Sequence, residues 1–441
     1  MRWFVALALL FLFATNSRAA EIAGPLDRYV AAEDKSYQWS IRREQSLVGG
    51  QATELVLTSQ TWRDIPWKHR LFIYRPPQVR DPGRALFMIA GGRWRDEYAQ
   101  PPKADETLPK EATILAGLAN QMQTPVAVLL NVPQQPIFEG MVEDQIIAYT
   151  FEQFIKTKDD TWPLLLPMVK SAVRGMDAMQ ELTKSRGHEP INRFMVTGAS
   201  KRGWTTWLTA VVDPRVDGLA PMVIDMLNMA PQMEHSLATW GKFSDQIHDY
   251  TDRGIPQMMK TPQGQSLTAI VDPYAYRDRI VQPKLIMLGT NDRYWPLDAL
   301  NVYWDGLQGE KFVLYVPNQG HGLADFGRVL GTMAAFQRHV SGEVKFPSLT
   351  WKHETTGERH QLTFTSSQKP TQVLLWTTEA ATRDFRDAKW QSRAIEASDG
   401  SYRGEVELPK SGFRAVLAEG QFSGGTLPYY LSTNVQIVGA K

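Results

Sequence analysis

Three residues far apart in the chain have the types and settings that acyl transfer requires. They are Ser200 in TGASKRGW, Asp292 at the end of KLIMLGTND and His321 in VPNQGHGL. A serine between an apolar strand and a helix is held on a sharp turn, with its hydroxyl exposed above the sheet. Such a turn is crowded and needs small neighbours two positions away. Gly198 meets that need on one side. On the other side the G-x-S-x-G pattern expects glycine, where this chain has Arg202 and then Gly203. Read alone, GASKRG is also an ordinary turn, and it lacks the eight-residue P-loop form. An acid at the end of a strand can fix the tautomer and orientation of a histidine. A loop histidine between two glycines can take a proton and later return it. Asp225, ending another strand, is the rival acid, and Asp298 reads as a capping or solvated residue.

The developing negative charge of such a reaction needs backbone N–H donors. One is expected from Lys201, the residue after the serine. The second is expected from the loop after ALFMIA, where Gly91, Gly92 and Arg93 follow. Trp94, Arg202, Trp204, Arg293 and Trp295 fall in or beside these loops and are candidate substrate contacts. Guanidinium groups bind carboxylates and indole faces stack on sugars or lipids, so this rim points toward an anionic or sugar-like substrate. His235, Asp245, His248, Asp249 and Asp252 cluster in one stretch but match no spaced ligand motif, so neither a metal nor any other cofactor is expected.

The elements that must hold these residues are apolar strands alternating with helices. The strands include residues 85–90, 125–132, 193–199, 218–226, 284–292 and 311–321. Helices are expected over 105–122, 164–186, 201–212, 296–307 and 323–340. This alternation predicts a doubly wound, mostly parallel sheet covered on both faces, with functional residues at the carboxyl ends of its strands. Serine, acid and histidine in that order, each on a separate strand end, is the α/β-hydrolase arrangement. Residues 53–60 and 68–76 read as a strand pair, while residues 20–50 carry no clear pattern. Residues 227–280 interrupt the alternation with methionines and aromatics among polar residues, and read as a helical cap insertion. From residue 344 to 441 the texture is six or seven short alternating strands, which predicts an immunoglobulin- or fibronectin-like β-sandwich. Trp351, Trp376 and Trp390 in it could stack on sugar, or simply pack. The hydrolase domain is thus expected over 20–343.

The 441 residues contain no cysteine, which removes thiol nucleophiles, disulfides and cysteine-zinc sites together. A formal net charge of +1 offers no basic face for nucleic acid. Residues 1–19 read as a signal peptide: Arg2, the apolar stretch WFVALALLFLFA, then Ser17 and Ala19 before the cleavage point. Export to the periplasm or beyond is therefore expected, with no membrane span left after cleavage. Oligomeric state is open.

GASKRGWTTWLTAVVDPRVDG resembles the corresponding stretch of the PhoPQ-activated pathogenicity-related family. The likeness continues through VIDMLN, KLIMLGTNDRYWP, VPNQGHGL, DFRDAKWQS and YYLSTNVQIV. The resemblance implies an α/β-hydrolase-like, secreted or envelope-associated protein. The serine turn is also similar to that of glucuronoyl esterases, where a basic residue follows the nucleophile and the second glycine comes one place late. That likeness implies that the Lys201 side chain assists the oxyanion. The sequence thus predicts a serine hydrolase acting on a small-molecule, glycan or peptide ester. A peptidase of the same fold and a non-catalytic envelope binder are the alternatives.

Overall fold

The computed structural model describes residues 24–103, 105–425 and 427–440. The expected signal peptide lies outside them. Nine strands form one sheet: β1 (Gln38–Leu47), β2 (Gly50–Trp62), β3 (Ile65–Arg75), β4 (Arg84–Ile89), β5 (Val126–Leu129), β6 (Arg193–Ala199), β7 (Val216–Met222), β8 (Lys284–Gly289) and β9 (Lys311–Val316). Their order is β1-β2-β3-β5-β4-β6-β7-β8-β9. The first three strands meander, β3 pairs antiparallel with β5, and every later pair is parallel. This is the doubly wound sheet of an α/β-hydrolase.

The strand sequences explain why both faces are covered. Runs such as RALFMI and KLIMLG are apolar at successive positions, so burying one face alone would leave the other exposed to water. Phe87, Phe194 and Ile286 enter one core cluster. Their chain neighbours Leu86, Met195 and Leu285 enter a second, on the opposite face. Helices Leu165–Ser185 and Lys201–Val212 supply walls of the first cluster, and helices Lys110–Met122 and Phe326–Val340 those of the second.

Between β7 and β8 the chain forms helices Met229–Trp240 and Pro262–Val271 with short turns between them. Beyond Leu349 it builds two antiparallel sheets, one four-stranded and one five-stranded. Leu362 and Phe364 of one sheet meet Val373, Leu375, Val416 and Ala418 of the other in a single cluster, which makes a β-sandwich. Ala415, Leu417 and Ile437 turn the other way and join the main hydrolase core. The sandwich is thereby anchored on the sheet-and-helix unit.

The structure departs from the sequence reading in three places. The stretch 20–50 contains a helix, Pro25–Ala31, and the edge strand β1. The helix expected over 296–307 is only two 3₁₀ turns, Ala299–Val302 and Trp304–Gly306. Its carbonyls are taken from outside: Lys311 Nζ bonds those of Trp304 and Leu307, at 2.6 and 3.2 Å, and Asn228 Nδ2 bonds that of Val302 at 3.2 Å. Finally, a helix the sequence reading did not place, Asp144–Thr157, stands beside the serine turn.

Candidate active site

Ser200 lies between β6 and helix Lys201–Val212, at φ 57° and ψ −128°. A non-glycine residue in that region is strained and is held there only by its surroundings. Here its N–H donates to the Met222 carbonyl at 2.9 Å. The glycine spacing follows from the same crowding. A Cβ on Gly198 would sit 2.6 Å from the Arg202 carbonyl oxygen, and one on Gly203 would sit 2.9 Å from that of Gly198. The second small residue is therefore needed at 203, and Arg202 is free to point elsewhere.

Asp292 and His321 lie just past β8 and β9, and His321 Nδ1 is 2.8 Å from Asp292 Oδ2. The other carboxylate oxygen accepts the Tyr294 N–H at 2.9 Å. The Tyr294 ring stacks on the imidazole, with centroids 4.2 Å apart and planes 28° from parallel. Asp292 thus fixes the ring from its edge and Tyr294 from its face. His321 Nε2 is buried and has no protein hydrogen-bond partner. Ser200 and His321 line one cleft. A buried ring nitrogen without a partner is costly unless something else occupies the site.

Asp225 does not join this line. It is buried and accepts a hydrogen bond from the Tyr303 hydroxyl at 2.8 Å. Burial, reinforced by the nearby carboxylates of Asp292 and Asp298, raises its pKa to about 8 despite the tyrosine bond. Asp298 is taken by His235, at 2.8 Å, and Arg383, at 2.6 Å. Among the described residues no group of three or more His, Asp or Glu is placed to hold a metal.

The cationic rim read from the sequence is mostly committed elsewhere. Arg202 makes a bidentate pair with Glu143, both contacts 2.8 Å, and donates to the Val132 carbonyl at 2.6 Å. Lys201 Nζ lies 2.9 Å from Glu143 and 2.9 Å from Asp144, so its charge is matched by two carboxylates. Burial works against Glu143, but Arg202 and then Lys201 outweigh it and bring its pKa down to about 2. Arg293 pairs with Asp387, out in solvent. Trp94 meets Tyr98 edge to face and, like Gly92, Arg93, Arg202 and Arg293, lies outside the cleft lining. Trp204 and Trp295 do line it, and the Trp204 indole N–H is bonded to the Val271 carbonyl at 2.5 Å.

Glu143 also reaches the loop after β4. Its carboxylate accepts from Gln135 Nε2 at 2.7 Å, and the same amide donates to the Gly92 carbonyl at 2.9 Å. Gln135 Oε1 accepts the Glu143 N–H at 2.8 Å. The guanidinium of Arg202 packs so closely on Gly91 that a Cβ there would be 2.6 Å from Nη2. Gly92 itself has φ +123°, a conformation side chains resist. One carboxylate therefore ties the serine turn to the glycine loop. Sequence reading missed Glu143 and Asp144, although two acids before the periodic apolar residues Ile146, Ile147, Phe151 and Phe154 do mark a helix start.

A sequence profile described as PhoPQ-activated pathogenicity-related protein matches residues 26–386. Autocrine proliferation repressor protein A from Dictyostelium discoideum is similar along 94% of this chain and 89% of its own length, with 32% identity over 449 residues. Among solved structures, an acetyl xylan esterase from Paenibacillus sp. R4 overlaps 72% of this chain and 92% of its own, at 14% identity and a TM-score of 0.47. A glucuronoyl esterase from Solibacter usitatus overlaps 72% and 90%, at 10% identity and a TM-score of 0.39. With its profile match spanning most of the sequence and a relative aligned almost end to end, the chain belongs to the PhoPQ-activated pathogenicity-related protein family.

Proposed function

We propose that the protein is an exported serine hydrolase that cleaves a carboxylic ester, or an amide, through an acyl-enzyme. The observation that carries this reading is His321: one ring nitrogen is fixed by Asp292, while the other is buried and unpartnered in a cleft shared with Ser200. Ser200 Oγ attacks the carbonyl carbon and its proton passes to His321 Nε2. Asp292 holds the neutral tautomer that can accept this proton and stabilises the imidazolium that results. The tetrahedral oxyanion lies against backbone N–H groups. The Lys201 N–H serves because the first-turn amides of a helix have no partner within the helix. The Gly92–Arg93 segment supplies the second donor, held in place through Gln135 and Glu143.

Collapse expels the leaving group, which takes the proton from His321. Water then enters, loses a proton to Nε2 and adds to the acyl carbon; the bond to Ser200 Oγ breaks, Oγ takes the proton back from Nε2, and the acid leaves. No step needs a cofactor. The Lys201 ammonium, held by two carboxylates, keeps the serine turn in place rather than reaching for the oxyanion. Residues 227–280 act as a cap over the cleft, and 344–441 as a separate sandwich domain. Export rests on residues 1–19; no helix among the described residues is long and apolar enough to cross a membrane.

Purified wild type and Ser200→Ala assayed against p-nitrophenyl esters and aminopeptidase and dipeptidyl chromogenic substrates test this. Ester turnover lost in Ser200→Ala is expected. Turnover confined to peptide substrates would make it a peptidase. No Ser200-dependent turnover of any substrate would favour a non-catalytic binding protein.

A further inference from the structure

We infer that the cleft beside Ser200 receives an uncharged hydrocarbon group of the substrate ester, and that acidic or sugar-acid esters are poor substrates. The inference rests on the hydrolase reading of Ser200 and His321. It reverses the substrate expected from the cationic rim, and three observations carry it.

The first is the wall. Away from Ser200 and His321 the cleft is bounded by Trp204, Met226, Met229, Met233, Ile255 and Met259, with further aliphatic residues between them. Met226, Met229, Met233 and Met259 are among the buried core residues, so the cleft reaches into the core and does not merely touch its edge. Methionine is unbranched and polarizable, so such a wall adapts to hydrocarbon of varied shape. A charged or heavily hydroxylated group placed there would lose its water and find few partners.

The second is the charge. Lys201 is the only lysine or arginine among the lining residues, and it lies 2.9 Å from each of two carboxylates. Asp144 also accepts the Tyr250 hydroxyl at 2.9 Å. The four charges of Lys201, Arg202, Glu143 and Asp144 sum to zero. Within the cleft lining, a substrate carboxylate would have to displace one of the Lys201 pairs to gain a cation. Ester neutrality therefore costs nothing at this site, while an anion loses hydration with no compensating charge.

The third is where the polar atoms lie. The Trp204 indole N–H is already bonded to the Val271 carbonyl, and the Tyr250 hydroxyl to Asp144. Two buried polar atoms of lining residues keep no partner, His321 Nε2 and the Trp295 indole nitrogen, and Trp295 adjoins Tyr294, whose ring stacks on His321. A pocket built from apolar surface, with its few polar groups gathered at one end, selects by hydrocarbon fit.

The hydrocarbon can belong to the acid or to the alcohol half of the ester, and two series separate these. p-Nitrophenyl esters from acetate to octanoate vary the acid half. Alkyl acetates from methyl to octyl vary the alcohol half. With the full-length protein, kcat/KM is expected to rise about fourfold per methylene in one series until the cleft is filled, reaching roughly 250-fold between acetate and hexanoate if the acid half is the one bound. A methyl glucuronate and a p-nitrophenyl hemisuccinate are expected to fall below the neutral ester of matched length. Met233→Glu is expected to flatten the rising series at least tenfold, and Met233→Leu to restore its slope. Two flat or falling series, or preference for the acidic esters, would overturn the inference while leaving the hydrolase reading intact. The native series needs no variant, so misfolding of Met233→Glu does not blunt the test. If Ser200→Ala turns over esters as fast as wild type, or nothing is turned over, the hydrolase reading itself fails. Calorimetry of Ser200→Ala with 2-octanone and acetone then decides the pocket: tighter binding of 2-octanone supports it, and no difference overturns it.

Discussion

Two histidine–aspartate pairs stand near the carboxyl ends of the strands, and they differ in what completes them. His321 Nδ1 meets Asp292 at 2.8 Å and its Nε2 is left buried and unpartnered beside the cleft. His235 Nε2 meets Asp298 at the same 2.8 Å, but the second oxygen of Asp298 carries Arg383 at 2.6 Å. Neither His235 nor Asp298 lines the cleft that holds Ser200. This second pair ties a helix of the insert, through Asp298, to the segment that follows the third strand of the sandwich. The first pair is open, with a strained serine lining the same cleft. The contact itself is the same in both. What separates the two is whether a serine shares the cleft that the histidine lines.

The largest effect should come from removing the open end. Ser200→Ala or His321→Ala is expected to lower kcat on the best ester by about 10⁶, read from progress curves at high enzyme concentration. A loss under tenfold would mean that the open pair does no chemistry. Next, Asp292→Asn keeps the shape but frees the wrong tautomer, and a fall of about 10⁴ in kcat is expected near neutral pH. Asp225 should not substitute: Asp225→Asn is expected to leave kcat within about threefold of wild type.

Glu143→Gln breaks the tie between the serine turn and the glycine loop. A loss of about 100-fold in kcat with little change in KM is expected, because small displacements of the reacting groups are enough to do this. Glu143→Asp, which keeps the charge, should recover part of it. If instead KM rises and kcat stays, Glu143 contacts substrate and does not position the turn.

Smaller effects belong to stability. The folded pKa of Asp225 is about 8, above an unfolded value near 4. The folded state therefore holds a proton that the unfolded state releases. This contribution is complete below about pH 4 and is lost as pH rises toward 8. Asp225→Asn should match wild type at pH 4 and exceed it at pH 8 by an amount on the order of a few kcal/mol, read by urea unfolding. A wild-type stability that climbs over this range, with no gain in the variant, would contradict the assignment. Smallest of all, His235→Ala should lower stability by about 1 kcal/mol and leave kcat within about threefold. A large loss of kcat there would erase the distinction between the two pairs.

The parts legible in the sequence were those with local signatures. Strand ends announce themselves by an apolar run followed by glycine, asparagine or aspartate, so β6, β8 and β9 could be placed together with Ser200, Asp292 and His321. The sandwich strands alternate at period two and were visible for the same reason. The charged rim was misread because a side chain's partner is not local. Arg202 finds Glu143 across 59 residues and Arg293 finds Asp387 across 94. Nothing near either arginine in the chain reveals that its charge is already matched. Helix Asp144–Thr157 was overlooked for a weaker reason, since its acidic start and apolar spacing were present to be read. The methionines of the insert were noticed, but only the fold shows that they wall the cleft beside Ser200.

The central claim is that Ser200 is a nucleophile activated by His321. Intact-protein and peptide mass spectrometry after treatment with diisopropyl fluorophosphate measures it directly. One adduct on Ser200 is predicted in wild type, absent from Ser200→Ala and formed at least 100-fold more slowly in His321→Ala. An unmodified wild type, or an adduct that forms at the same rate without His321, would contradict it.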